Sequence, residues 1–297
     1  MSLILKLNDL IEGEIVKRPS MYIKTPYVAD IKICSNNTNN NNTNNNTNNI
    51  LGHTASLGCC GLADVGASIL MAPVPKTKNK KNPDKLHCEY RVYLSIIREK
   101  EKEIIVGIYP KLAEELTESA LKNNLLSKLL SVKCYKKETK IYVPDLVDSR
   151  FDFSGIDENG IPFLMEVKNV PLADYEDITA KERKKMSFDD RHINSKVAYF
   201  PDGYRKKTTD PVSPRALKHI NELALIKRMS KTRCIMCYVI QRTDVNRFQP
   251  SIIDPEYREA FKQAVKSGVE IITMVVQWTR NGEAYFIKDN LEISSIE

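Results

Sequence analysis

The sequence predicts an α/β protein in which a β-rich N-terminal region is followed by a region of alternating helices and strands. Short runs of β-branched and aromatic residues, separated by Gly, Pro, Asn and Lys clusters, fill residues 1–95. From about residue 110, apolar residues recur at helical spacing and then alternate with patterns typical of buried strands. This order predicts helices packed around a mixed sheet in the C-terminal part.

Residues 1–95 are predicted to form a small β-barrel of the OB-like kind, because five short strand-like runs separated by turn residues suit a Greek-key barrel. Other small β folds have the same pattern. Residues 36–49 consist only of Asn and Thr. They offer no apolar side chain whose burial could offset the entropy of ordering them, so we expect a disordered insertion there.

Residues 96–297 are predicted to form the second, α/β domain. Its expected elements are an amphipathic helix within 112–130, a strand hairpin over about 149–170, an exposed charged excursion at 174–196, and then a helix, strand, helix and strand. Ser213 and Asp254 are the expected N-caps of the last two helices, each followed by Pro. The nearly continuous apolar run 233–240 indicates a strand covered on both faces.

Composition predicts an intracellular protein, cytoplasmic or nuclear and not secreted. No apolar run reaches the ~18 residues that a spanning helix needs, and the first residues resemble neither a signal nor a transit peptide. Seven irregularly spaced cysteines indicate reduced thiols. The net charge of +7 is modest, but residues 205–247 alone hold eleven Lys or Arg against three acids, a net +8, which favours a polyanionic partner over a merely solvated helix face.

The hairpin carries the strongest chemical signal. Asp152, Glu166 and Lys168 are at even positions, and the apolar residues of its strands are at odd ones: Phe151, Phe153, Ile161, Phe163, Met165 and Val167. A three-residue loop, with Gly160 in the left-handed region, sets Asp152 opposite Glu166 and Arg150 opposite Lys168. A two-residue turn would instead break the apolar face. The hydrophobic pattern therefore predicts two carboxylates and an amine on one surface.

Facing carboxylates repel each other, and a divalent cation such as Mg²⁺ or Mn²⁺ compensates that repulsion. Lys168 would orient water or neutralise charge on a phosphate. Glu-x-Lys spacing alone is a weak signal, since it also occurs at Glu138 and Glu182. The alternative is an exposed strand face with an ordinary cross-strand charge pair.

Six ordered blocks resemble the sugar fermentation stimulation (SfsA) family. They read RFDF (150–153), MEVKNVPL (165–172), AYFPDG (198–203), SPRALKHINEL (213–223), VIQRTDVNRFQP (239–250), and IDPEY with AVKSGVEI (253–257 and 264–271). The resemblance implies an N-terminal OB-like domain and a restriction-endonuclease-like domain of the PD-(D/E)XK nuclease-like superfamily that binds DNA.

The resemblance also implies roles for particular residues. Asp152 and Glu166 match the metal ligands, and with Lys168 they match the catalytic positions. An additional acid would come from Glu114, Glu115 or Glu118, and the sequence does not choose among them. The positions implied for contact with nucleic acid are Arg150, Arg215, Lys218, His219, Gln241 and Arg242. The chain departs from the family at 53–55, where His-Thr-Ala replaces Asn-Thr-Gly and puts nucleic-acid contacts by that domain in doubt.

Two functions follow as hypotheses. The first is a Mg-dependent nuclease that hydrolyses phosphodiester bonds in DNA, with RNA as the alternative substrate. The second is a non-catalytic DNA-binding regulatory protein of the sugar catabolism type that keeps the nuclease fold. Cys234 and Cys237 are predicted to point to opposite faces of one strand. Tyr199 and Phe200 are predicted either to stack on a base or to pack in the core.

Overall fold

The structure is a computed structural model, and it describes residues 1–34, 49–54, 61–75, 87–201 and 212–295. The predicted Asn-rich insertion lies outside the described residues, except for Asn49. None of the helices in these ranges is long and apolar enough to cross a membrane.

The described elements are mostly strands. The strands of the N-terminal part are β1 (Ser2–Lys6), β2 (Ile11–Lys17), β3 (Val28–Ile33), β4 (Ile50–His53), β5 (Ser68–Pro73), β6 (Tyr90–Glu99) and β7 (Lys102–Gly107). The later strands are β8 (Cys134–Val143), β9 (Val147–Ile156), β10 (Pro162–Val170), β11 (Ala173–Asp174), β12 (Lys196–Phe200), β13 (Arg233–Ile240), β14 (Val245–Pro250), β15 (Glu270–Trp278), β16 (Glu283–Lys288) and β17 (Glu292–Ile293). The α-helices are α1 (Lys111–Lys122), α2 (Ala180–Arg183), α3 (Pro214–Met229) and α4 (Pro255–Lys266).

A seven-stranded mixed sheet forms the centre of the C-terminal part, in the order β1-β16-β15-β13-β10-β9-β8. Strand β13 runs parallel to both β10 and β15, and the other pairs are antiparallel. This confirms the prediction of a mixed sheet. The central strand β13 is buried from Cys234 to Ile240, as its apolar sequence predicted.

Two hydrophobic cores cover the two faces of this sheet. One packs α1 and part of the N-terminal strands against it, and the other packs α3, α4 and residues of β14 against the opposite face. Cys237 lies in the first core and Cys234 in the second. The two thiols therefore point away from each other, as strand alternation predicts.

The N-terminal strands form a six-stranded sheet in the order β4-β3-β2-β5-β6-β7, and β4 also pairs with β6. Strands β2 to β6 thus close into a ring of strands around a third core. The boundary predicted after residue 95 falls inside β6, and β1 pairs with β16 of the other sheet. The OB-like assignment and the division into two domains remain predictions.

Helix α1 ends at Lys122, so the expectation of one helix within 112–130 is wrong for its second half. Asn124 adopts a left-handed backbone with φ 53°. The N–H of Leu125 bonds the carbonyl of Ala120 at 2.9 Å, and the N–H of Asn124 bonds that of Leu121 at 3.1 Å. These two bonds form a Schellman motif, which terminates the helix although the apolar spacing continues.

The two later helices begin where the sequence predicted. Pro214 opens α3 after Ser213, although the Ser213 side chain makes no capping hydrogen bond. Asp254 caps α4 by accepting a hydrogen bond from the Tyr257 N–H at 3.1 Å. Gly268 follows α4 with φ 90°, a conformation that favours glycine.

The charged stretch 174–196 is not wholly exposed, which corrects the expectation of an exposed excursion. Asp177 is buried and accepts hydrogen bonds from Gln249, Ser251 and Ile252. The rings of Tyr175 and Phe188 stack with centroids 5.3 Å apart. The stretch packs beside a small sheet of order β11-β12-β14-β17 because its few apolar and acidic side chains find partners there.

Candidate active site

The β9–β10 hairpin adopts the predicted register. Met165 pairs with Phe153, and the N–H of Asp157 bonds the carbonyl of Ile161 at 3.0 Å across a three-residue loop. Gly160 in this loop has φ 82°. The loop length and the left-handed glycine are those that the sequence argument required.

The predicted single apolar face is wrong for two of its members. Phe153 and Met165 pack in the core beside α1, but Phe151 packs in the opposite core and Ile161 is exposed. Both faces of the sheet are covered, so apolar residues of either parity are buried. The pairing between β8 and β9 is also interrupted at Asp152, because the register pairs Phe153 and Phe151 with β8 but not Asp152.

Asp152 and Glu166 nevertheless converge, because the hairpin strands separate beyond the Met165 pair. The Asp152 carboxylate enters this gap and accepts a hydrogen bond of 2.7 Å from the Val167 N–H. Burial, and then the charge of Glu166, raise the pKa of Asp152 to about 7. The structure therefore holds two carboxyl groups in one place where they disfavour each other's ionisation.

Glu166 is held from two sides. It is 2% exposed, and its Oε1 atom contacts Lys168 Nζ and His219 Nδ1. Burial opposes ionisation, but the charge of Lys168 and the hydrogen bond from His219 outweigh it, so the pKa of Glu166 is lowered. The second oxygen, Oε2, is buried without a hydrogen-bond partner. A buried carboxylate oxygen without a partner needs a cation or a donor.

These groups line a cavity of about 350 Å³ between α1, β10 and the start of α3. Its polar side chains include Glu114, Asp152, Glu166, Lys168 and Arg215. Pro110 and Tyr199 form part of its apolar wall. The cavity thus combines buried carboxylates, an ammonium and a guanidinium, a set suited to an anionic substrate together with a divalent cation.

Of the three possible helix acids, the structure places Glu114 at the cavity. Burial raises the pKa of Glu114, against the charge of Lys137. Glu118 instead accepts hydrogen bonds from Tyr135 at 3.1 Å and Lys137 at 2.8 Å. Helical spacing alone left this choice open, because the helix had no known rotation relative to the hairpin.

Arg215 is the one residue among the predicted nucleic-acid contacts that lines the described cavity. Arg150 is exposed and forms an ion pair of 3.2 Å with Glu138. Lys218 is exposed and donates to the carbonyl of Asp148 at 2.7 Å. Both could reach a ligand only outside the cavity.

The other three predicted contacts are buried in internal networks. His219 touches Glu166, and its ring centroid lies 5.9 Å from that of Phe151. Gln241 bridges the Trp278 indole at 2.9 Å and Asn169 at 2.6 Å. Arg242 is 2% exposed. Its donors go to Asp244 and to the carbonyl of Pro171. In this arrangement all three side chains contact other groups of the protein, and none of them lines the cavity.

The described residues of the basic segment 205–247 do not form one surface. Residues 205–207 lie outside the described residues, and Arg242 is buried. Arg233 forms ion pairs with Asp157 at 2.9 Å and Glu270 at 2.6 Å. Part of the positive charge counted in the sequence is therefore neutralised by ion pairs within the protein. Among the described residues, no group of three or more His, Cys, Asp or Glu side chains is placed to hold a metal ion.

The fold and cavity define a mixed α/β protein with a buried pair of carboxylates beside a lysine. Comparison with known proteins shows which family the chain resembles. Residues 182–282 match the model of the sugar fermentation stimulation protein RE domain, a range that includes Arg215 and His219 but not Asp152, Glu166 or Lys168.

Curated relatives carry the same name. A sugar fermentation stimulation protein homolog of Clostridium perfringens strain 13 is 27% identical over 224 residues, covering 75% of this chain and 78% of the relative. That of Alteromonas mediterranea is 32% identical over 173 residues, 56% of this chain and 59% of the relative.

A solved structure shares the fold. The Pyrococcus furiosus SfsA protein, determined in complex with Ca²⁺, superposes with a TM-score of 0.70 at 18% identity, covering 99% of this chain and all of that one. The chain is thus similar to SfsA-family proteins in sequence, and to one of them in fold.

Proposed function

We propose that this protein is a Mg²⁺-dependent nuclease that hydrolyses phosphodiester bonds in DNA, with a fold of the PD-(D/E)XK nuclease-like kind. The observation that carries the proposal is the convergence of Asp152, Glu166 and Lys168 on one cavity, where Glu166 keeps one buried oxygen without a partner.

The residues present fit a divalent cation. Among the described residues, Oε2 of Glu166 has no donor, and burial together with the charge of Glu166 raises the pKa of Asp152, so a divalent cation would favour the ionised form of both groups. Asp152 and Glu166 would hold Mg²⁺ or Mn²⁺, and Glu114 of α1 lines the same cavity. That the Pyrococcus furiosus protein was determined with Ca²⁺ is consistent with a divalent ion in this family.

Each side chain then has a role. A bound divalent ion supplies positive charge that polarises the scissile phosphate. Lys168 holds its ammonium beside the Glu166 carboxylate, where it would orient the attacking water or stabilise charge that develops on the phosphate. Arg215, at the start of α3, would bind a phosphate oxygen at the cavity mouth. His219 positions Glu166 through its Nδ1–H.

The second candidate is a DNA-binding regulatory protein without turnover. The name of the relatives favours this candidate, because it describes an effect on sugar fermentation and not a reaction. Such a protein would bind DNA through its lysines and arginines with a strong salt dependence, and no product would form.

The deciding experiment is a divalent-ion titration followed by cleavage and binding of the same labelled single- and double-stranded DNA. We expect Mg²⁺-dependent cleavage by the parent and loss of cleavage in Lys168→Ala. Lys140→Ala is the matched control, because Lys140 belongs to another Glu-x-Lys sequence and is exposed beside Asp148. Cleavage by Lys168→Ala at the parent rate would remove the mechanism. Binding without cleavage for all metals would favour the regulatory alternative.

A further inference from the structure

A second polar cluster lies on the ring of strands, where β4 and β6 pair in parallel. His53 at the end of β4 is the register partner of Arg91 on β6. The two side chains are therefore neighbours on one face of the pair. Neither residue belongs to the cavity described above.

Each side chain keeps one buried nitrogen atom that has no hydrogen-bond partner among the described residues. These atoms are His53 Nδ1 and Arg91 Nε. Within the described ranges the Arg91 guanidinium forms no ion pair or hydrogen bond. A partly buried guanidinium without an anion is unfavourable, since buried donors normally find acceptors. Burial, together with the charge of Arg91, lowers the pKa of His53.

Aromatic rings border this pair. The Arg91 guanidinium carbon lies 5.2 Å from the ring centroid of Tyr109, and Tyr93 meets the same ring edge-on at 5.2 Å. Tyr109 directly precedes Pro110, which lines the cavity of Asp152 and Glu166. Arg91 therefore packs against the residue that directly precedes Pro110, a residue of the cavity wall.

We propose that His53 and Arg91 form a binding site for a phosphate-class oxyanion. A guanidinium binds such an anion through two parallel N–H donors, and the Nδ1–H of the imidazole supplies another. Both residues are only half-buried, so rotation of their side chains brings the unpartnered nitrogen atoms to the ligand. Tyr109 offers a ring face for a nucleobase attached to the phosphate.

The oxyanion is assigned to the backbone of the nucleic-acid strand whose scissile bond lies in the cavity. This part rests on the proposed nuclease function, whereas the anion site itself does not. The same site would also bind a free phosphate or a mononucleotide, and the experiments below distinguish these small ligands from a nucleic-acid strand.

The first measurement is a titration of the full-length, ¹⁵N-labelled protein with inorganic phosphate in EDTA, followed by NMR. We expect the side-chain signals of His53 and Arg91 to shift in the parent. Arg98→Gln should behave like the parent, because Arg98 lies on the same strand but is already paired with Glu12 and Glu103. Unshifted His53 and Arg91 signals in the parent would overturn the site, and no variant is needed for that result.

The second measurement is the binding of a fluorescent single-stranded oligonucleotide in EDTA at several salt concentrations. Arg91→Gln should bind about tenfold more weakly. The slope of log affinity against log salt should fall in magnitude by about 0.7, as for one lost phosphate contact. His53→Gln serves as a second variant, and circular dichroism checks the fold of each.

The outcomes are distinct. Phosphate shifts together with a reduced slope support both parts of the inference. Phosphate shifts with unchanged oligonucleotide binding support the oxyanion site and overturn its assignment to the strand. Because both measurements are made without metal, a parent that never cleaves DNA would refute the nuclease proposal while leaving the anion site intact.

Discussion

Asp152 accepts a 2.7 Å hydrogen bond from the backbone N–H of Val167, a residue on the neighbouring strand just beyond the last regular pair of the hairpin. The bond replaces a ladder interaction and turns the carboxyl group toward Glu166. The hydrogen bond favours the ionised carboxylate, but burial and the charge of Glu166 outweigh it and raise the pKa of Asp152. Four predictions follow from this and related contacts.

Asp152 should make the metal-free protein less stable as pH rises. Its pKa is about 7 in the folded chain and ~4 when unfolded, so the folded state holds an extra proton between these values. The stability contribution is therefore present below about pH 4 and lost as pH rises through about 7. Asp152→Asn keeps an acceptor for Val167 but removes the titration.

The measurement is urea unfolding in EDTA at pH 5 and pH 8. We expect Asp152→Asn to gain stability relative to the parent, by roughly 1 to 4 kcal/mol more at pH 8 than at pH 5. Asp148→Asn is the control, because Asp148 is exposed and paired with Lys140. An equal difference at both pH values would show that Asp152 titrates normally.

Divalent ions should stabilise the parent through Asp152 and Glu166. At a free ion concentration 100 times the dissociation constant, the gain is about 2.7 kcal/mol, because ions bind the folded state alone. Glu166→Gln should abolish the rise in melting temperature on addition of Ca²⁺ or Mg²⁺. Glu138→Gln should keep it, since Glu138 is exposed and paired with Arg150. A full rise in Glu166→Gln would place the ion elsewhere.

His219 should act on the ion through Glu166. His219→Ala removes the donor to Glu166 Oε1 and should weaken Mn²⁺ or Ca²⁺ binding about 10- to 100-fold, measured by calorimetry. His219→Gln should restore part of the affinity because its amide can donate. His192→Gln is the control, since His192 is exposed on a distant turn. Unchanged ion affinity in His219→Ala, with the fold intact, would reduce His219 to a packing role.

Arg242 should contribute to stability and not to contact with DNA. Its guanidinium, with Lys196, neutralises Asp244, which is itself 2% exposed. Arg242→Ala leaves part of that charge uncompensated and should cost about 3 to 5 kcal/mol in urea unfolding. Lys231→Ala, at an exposed position, should cost little. A stable Arg242→Ala protein with weakened DNA binding would instead support the contact role that the family resemblance implied.

Much of the fold could be read from local sequence. The Asp254-Pro255 start of α4, the buried strand β13 and the hairpin register all follow from short-range rules of capping, burial and turn length. The error at α1 has a local cause as well. Leucine spacing continues past Lys122, but a left-handed Asn124 ends the helix, and its residues still pack in the core.

The candidate site could also be predicted only in part. The predicted turn and register place Asp152, Glu166 and Lys168 within one hairpin, although the two carboxyl groups meet where the hairpin strands separate. The choice of Glu114, and the withdrawal of Gln241 and Arg242 into internal networks, depend on how helices and later strands rotate against that hairpin. No spacing rule carries that information.

By itself, the sequence predicted the starts of the last two helices, the mixed character of the sheet and the register of the β9–β10 hairpin, because each depends on residues close in the chain. Tertiary structure alone decided which charges remain free. Among the described residues, Glu166 Oε2 and Arg91 Nε have no hydrogen-bond partner. This can be recognised only when the positions of all neighbouring donors and acceptors are known.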